Sequence, residues 1–525
     1  MREPNLQANS PQNQLSEGPP DMKLFYACFV ALVTTSFGFI LRAVILPQWG
    51  QEFNLSQTQL GEIAGVGLWP FAISIVLFSL VIDKIGYKTA LYFAFFCHVT
   101  SAILTIFANG YWMLYIGTFI VAIGNGTVEA VVNPVVATMF RKEKTKWLNI
   151  LHAAWPGGLV LGGIIAILMG ADTRWEYKIA LILLPTIAYG IMIISRRFPL
   201  NERVQAGVSY REMLQEVGAI GALIITSLIV FQLGAVFGWP TVANIIIIAI
   251  ITLLFGWYTR SFGQPLFIVL LLIMIPLATT ELGTDSWITD LMTPVMSDLG
   301  FHAGWVLVYT SAIMFVLRFF AGPIIHKISP LGLLAICSII AGVGLYMLSM
   351  SVGVGILIAA TVYGLGKTFF WPTMLGVVAE RFPKGGALTL NITGGLGMIA
   401  AGVIGAGILG FIQDKSIDSN ILAYDKSNNT AIHETYVTES KESLFGTYQA
   451  LDQAKLSTAS PQEIATVNTI RDGAKKEALR NIVIFPIIML VSYLLLIAYF
   501  RWKGGYKVVL LKQEQTASTS VYESI

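Results

Sequence analysis

GNGTVEAVVNP, Gly124 to Pro134, lies inside an otherwise apolar run from Trp112 to Phe140, and its reading sets that of the whole chain. The run is long enough to span a bilayer, whose hydrocarbon core takes about 20 residues of helix. On such a helix Asn125, Glu129 and Asn133 fall four residues apart, so two amides and one carboxylate share a face. A carboxylate in the middle of a span is costly unless it faces protein or a water-filled cavity, and residues of this kind mark ion, proton or substrate paths. Glu129 is therefore the first functional candidate. Beyond a basic hinge, Arg141 to Lys146, the chain continues into WLNILHAAWPGG, Trp147 to Gly158.

The rest of the composition agrees with a polytopic membrane protein: 55% of residues are hydrophobic, 12% are charged, and the mean hydropathy is +0.71. A net charge of +3 says little as a sum, because the basic residues are scattered among short loops. That scatter leaves no footprint for nucleic acid. Cys28, Cys97 and Cys337 lie in apolar runs without metal-ligand spacing and read as small buried hydrophobes. No hydrolase, kinase or metal motif is found. GAGILG, Gly405 to Gly410, sits in an apolar run where glycine permits helix contact and no nucleotide would reach it. Neither an enzyme nor a cofactor is expected.

Counting apolar runs gives spans at 24–47, 60–82, 89–107, 112–140, 148–169 and 177–195, then 217–237 and 242–258, then 265–296, 304–325, 330–350, 354–382, 385–412 and 480–500. The expectation is six, plus two, plus six, or 14 transmembrane helices. The division that follows is a tail at 1–23, a six-helix bundle at 24–195, a linker at 196–216, an inserted pair at 217–260, a second bundle at 261–500 and a tail at 501–525. Placing both termini in the cytoplasm puts nearly all basic turns inside, as the charge asymmetry of short loops requires. The long polar stretch 413–479 is then external and reads as a mobile or weakly folded cap. The polar first 22 residues read as a disordered tail ahead of an uncleaved first helix. A weak echo relates the two sets of six: Leu148-Asn149 after one basic turn, Leu390-Asn391 after another. Repeats of this kind place a binding site near the membrane midplane, between the halves.

SLVIDKIGYK, Ser79 to Lys88, resembles the loop motif of the major facilitator superfamily, with Ser79 where glycine is usual. Within the superfamily the chain resembles the fucose and hexose permease group. The likeness covers both six-helix halves and is carried by Ile45 to Trp49, GNGTVEAVVNP, Trp147 to Asn149, ELGTDSW (Glu281 to Trp287), Arg318 to Gly322 and Trp371 to Thr373. The resemblance implies an all-helical major facilitator fold and a proton-coupled sugar symporter in a plasma membrane, with Glu129 as the proton carrier. One departure stands in the first helix, where Arg42-Ala43 replaces the carboxylate of the fucose member.

The remaining candidates are polar or aromatic residues inside apolar runs. Glu129 is either a proton carrier or a structural carboxylate paired with Arg42, and Arg42 is either that partner or a binder of an anionic or hydroxyl-rich ligand. Asn133 is a ligand or a partner of Glu129, since a lone amide in lipid needs hydrogen bonds. Asn149, His152 and Trp155 share a face on the next helix, a combination of polar groups and an aromatic plate that suits a sugar. His152 is also a possible proton relay, and Trp155 equally ordinary packing. In the second half Glu281 and Asp285, four apart, read as ligands or as a wet helix end, with Trp287 as an external gate. Lys367 and Trp371 share a face, Lys367 binding solute or pairing with Glu281; Asn391 echoes Asn149. Arg318 reads as part of a structural loop pattern. The function expected is symport of a sugar or similar small polar solute with a proton. The competing readings are an organic-anion carrier or multidrug exporter of the same superfamily, and a membrane sensor that does not transport.

Overall fold

The computed structural model describes residues 20–170, 172–285, 296, 299–301, 304–443 and 446–511. Among them twelve helices are long and apolar enough to cross a bilayer. A pair bent by 60°, Trp305–Arg318 and Ala321–Ile328, raises the number to 13. The fourteenth expected run is also helical but is divided into Gly355–Lys367 and Phe370–Arg381, 13 and 12 residues long, each too short to cross alone. Of the expected span 265–296, the described part is the helix Pro265–Ala278 and a π-helical turn, Thr279–Gly283.

Three breaks share one cause. Proline has no N–H, and its ring clashes with the carbonyl four residues earlier. Pro156 ends Lys144–His152 before Ala154–Met169, Pro323 bends the chain at Phe319, and Pro372 interrupts it at Thr368. Each break frees a carbonyl at membrane depth, and the freed groups must find donors elsewhere.

The halves meet most extensively along three pairs of helices: Trp69–Ile85 with Gly386–Ala400, Ala154–Met169 with Trp305–Arg318, and Lys144–His152 with Phe370–Arg381. One apolar cluster runs through both halves, from Leu24 to Phe500. At the end that carries the Asp83–Lys88 turn, polar groups latch the halves together. Lys144 Nζ pairs with Glu202 at 2.6 Å and donates to the Ala379 carbonyl at 3.1 Å. Glu380 accepts from the Thr145 N–H and hydroxyl at 3.1 and 2.6 Å, and from the Tyr506 hydroxyl at 2.7 Å. Gly376 permits this contact, because a Cβ there would lie 2.6 Å from Thr145 Cα. Arg203 of the linker holds Asp83 at 2.6 Å, tying the loop motif to the same latch. At its rim, Glu143 of the first half meets His326 of the second at 3.2 Å.

The inserted pair, Tyr210–Phe237 and Thr241–Thr259, packs together and against helices of the second half. Its entry is kinked at Gly218, whose φ of 58° is a left-handed value. The outer face, Ile245, Ile246, Ile250, Leu253 and Trp257, is exposed and suits contact with lipid.

The polar stretch 413–479 differs from expectation. Gly407–Asn428 and Pro461–Ile482, each 22 residues, extend two membrane helices beyond the bundle and pack on each other. A hairpin of Glu439–Ser443 and Gly446–Ala450 joins them. Ile417, Ile421, Tyr436, Leu451 and Val467 form a separate apolar core, so this segment is a folded cap. Its mixed charge and few aromatics, read as a mobile or weakly folded cap, do not prevent this core, whose apolar residues come from two helices and the segments between them.

Candidate functional site

Glu129 lies buried in the helix Tyr111–Met139, and Asn133 one turn on donates to its Oε2 at 2.7 Å. Because the Asn133 amide nitrogen is used there, its oxygen accepts from His152 Nε2 at 2.8 Å. The His152 carbonyl is one of those freed by proline, and it accepts from Arg318 Nη1 at 2.6 Å. Arg318 Nε donates at 2.8 Å to the Thr368 carbonyl, freed by Pro372. Its remaining nitrogen pairs with Glu281 Oε1 at 3.1 Å. The other Glu281 oxygen accepts at 2.9 Å from the N–H of Trp371, an otherwise unsatisfied first-turn donor at a helix N-terminus. One polar chain thus runs from Glu129 in the first half to Trp371 in the second.

This chain borders a central cavity of about 40 Å³, walled by Glu129, His152, Trp155, Glu281, Arg318 and Trp371, with Phe71, Leu282 and Met398 closing it. Phe71 stacks on Trp155 with centroids 6.2 Å apart. Such a volume admits water but no sugar, so with the basic end latched the structure is in a closed state. Beside the cavity, buried Lys367 pairs with half-exposed Asp285 and lies 5.4 Å from the Tyr363 ring centroid.

Five of the expected residues therefore line the cavity: Glu129, His152, Trp155, Glu281 and Trp371. Asn133 joins two of them. Asn149 and Asn391 stand elsewhere, as clasps between the halves. Asn149 donates to Thr373 Oγ1 at 3.1 Å, and Asn391 donates to the Ala130 carbonyl at 3.0 Å. Trp287 lies outside the described residues.

Three pairings depart from the sequence reading. Arg42 does not pair with Glu129; it donates to Ser101 Oγ at 2.8 Å and to the Gly38 carbonyl at 3.4 Å. Lys367 pairs with Asp285, not Glu281. Glu281 is buried in the π-helical turn rather than at a wet helix end, and Arg318, read as part of a loop, is its partner. Asn125 also leaves the Glu129 site: two steps of four residues rotate it about 80° from Asn133, and it meets His98 at 3.0 Å. The signal for Arg318 was present in Pro156 and Pro372, whose freed carbonyls call for a forked donor.

At the latch, outside the membrane, burial raises the Glu143 carboxyl, but Lys146 and His326 outweigh it and hold the group below the ordinary 4.5. Burial and the adjacent Glu380 push the Tyr506 hydroxyl well above its ordinary 10.

A family model described as Major Facilitator Superfamily matches residues 28–282. A gentisate transporter of Corynebacterium glutamicum is 22% identical over 185 residues, covering 34% of this chain and 41% of that protein, so the match spans under half of the curated relative. Among solved structures, the E. coli fucose:proton symporter superposes with a TM-score of 0.57 at 14% identity, over 89% of this chain and 98% of that one. A human organic anion transporter gives 0.59 at 12% identity, over 91% and 100%. Helix order, the loop motif and these likenesses define the class: residues 28–282 match the model of the major facilitator superfamily, and the chain is a multi-pass membrane protein with the fold of that superfamily. It resembles the fucose/hexose:proton symporter group.

Proposed function

We propose that the chain carries a sugar or related polyol together with a proton, by alternating access at the central cavity. The observation that carries this reading is the charge balance of the polar chain. Glu129, Glu281 and Asp285 supply three carboxylates, and Arg318 and Lys367 supply two cations, each already in an ion pair. Glu129 is left with an amide and, among the described residues, no ion pair. One proton on Glu129 makes the set neutral, and a neutral set crosses the closed state at far lower cost than a buried charge.

The rest of the cavity suits a hydroxylated ring. Trp155 and Trp371 offer apolar plates, while Glu129, His152 and Glu281 offer acceptors for hydroxyl groups. A carrier of anions at this cavity would use an unpaired cation, and Arg318 and Lys367 are both engaged. Solute enters when the halves separate on one side, and its passage to the other requires the Lys144 and Glu380 latch to part. The basic turns face the cytoplasm in this reading, with both termini inside and the cap outside the plasma membrane.

The test is Glu129→Gln in proteoliposomes. Accumulation driven by a pH gradient should vanish while counterflow of solute continues. Accumulation at the wild-type level would reject the carrier role of Glu129.

A further inference from the structure

A second cavity, of about 220 Å³, lies wholly within the first half. Its walls are mostly apolar, with Phe39, Leu46, Trp49 and Val121 prominent, and one cation, Arg42, lines it. The Arg42 side chain belongs to a residue only 9% exposed, and its Nε is buried without a hydrogen-bond partner. A guanidinium has five donors. Ser101 takes one at 2.8 Å, and the Gly38 carbonyl takes another at a long 3.4 Å. Among the described residues Arg42 forms no ion pair, and neither acceptor that it does use is charged. Gly38 leaves space for the group, since a Cβ there would lie 3.2 Å from Nη1.

We infer that this cavity is a second binding site, one that takes a compact organic acid by pairing its carboxylate with Arg42 and burying its apolar body against Trp49 and Phe39. A buried, incompletely bonded guanidinium favours a carboxylate, which it binds through two parallel N–H donors. Size limits the rest of the ligand. A dry cavity of roughly 150 Å³ holds benzene, so 220 Å³ accommodates one ring and a carboxylate. Thr118 and Asn125 add polar groups to the wall, and Asn125 has its amide nitrogen left over, because His98 occupies its oxygen. The site shares no lining residue with the central cavity and does not rest on the sugar reading.

Benzoate is the probe, used with the full chain in detergent and read by equilibrium binding of labelled benzoate and by thermal denaturation. The wild type should bind saturably and be stabilised, and benzamide, the neutral isostere, should bind about tenfold or more weakly. Arg42→Gln should lose binding. Ala64→Trp keeps the cation and fills the cavity, and it too should lose binding, which guards against a folding defect of the Arg42 variant. Benzoate binding that survives both substitutions, equal binding of benzamide, or displacement of benzoate by palmitate at lower concentration than by unlabelled benzoate would overturn the assignment. Glu129→Gln should leave benzoate binding intact, so failure here and failure of the proton reading give different results.

Discussion

Replacing Gly376 with alanine places a methyl group in the contact that shuts the basic end. The added Cβ would lie 2.6 Å from both Cα and Cβ of Thr145, where ordinary contact begins at 3.4 Å. Thr145 cannot step aside, because its N–H and hydroxyl are both held by Glu380 at 3.1 and 2.6 Å. The helix Phe370–Arg381 must therefore retreat from Lys144–His152 in the latched state alone. Overpacking of this kind costs about 1–3 kcal/mol, a shift of about 5- to 150-fold toward the state with the basic end open. Spin labels on Lys142→Cys and Lys327→Cys would report it by pulsed electron resonance, since these residues belong to opposite halves and border the same cleft. The long-distance population should grow, and transport should slow as latching becomes the difficult step. Adding Thr145→Gly, which removes the near side chain, should restore part of the short-distance population. An unchanged distance distribution in a folded Gly376→Ala protein would refute the account of the latch.

Arg318→Met strands Glu281 and two proline-freed carbonyls, and should lower stability by about 3–5 kcal/mol; the added Glu281→Gln should recover part of this in denaturant titrations, and a loss below about 1 kcal/mol would contradict the pairing. The Glu143 carboxyl lies below its ordinary 4.5 in the folded state, so its contribution is complete above that value and disappears as pH falls through the lowered one. The same spin-label pair should therefore lengthen at acid pH, and Glu143→Gln should remove that response. Ile421→Ala, in the core of the cap, should destabilise the cap by about 2–5 kcal/mol; hydrogen exchange should rise across 407–482 while solute uptake persists. Faster exchange in the membrane helices as well would show that the cap and bundle unfold together.

The membrane runs and the face bearing Glu129 and Asn133 were legible because each depends on spacing within one helix. What the sequence reading missed depends on partners far along the chain. Arg318 lies 37 residues from Glu281 and 166 from His152. It looked peripheral because the apolar run 304–325 is continuous, whereas Pro323 bends the helix at Phe319 and leaves Arg318 at the depth of Glu281. Asn149 looked like a ligand because it shares a helix face with His152 and Trp155, and Asn391 because it echoes Asn149. Their side chains instead meet Thr373 and a backbone carbonyl at the seam, a choice that only the approach of the two bundles decides. The cap was misread because its apolar residues are spread over two helices and a hairpin, so no single window is hydrophobic.

The cap is built on continuations of membrane helices of the second half, within the long helical runs Pro383–Asn428 and Pro461–Trp502. A 22-residue helix is roughly 33 Å long at 1.5 Å per residue. If the halves rock as proposed, a tilt of about 10° would swing the far tip by roughly 6 Å, so the cap acts as a pointer that magnifies a small movement at the cavity. An antibody fragment gripping that pointer and the first half at once would arrest the cycle from a distance, without touching the solute.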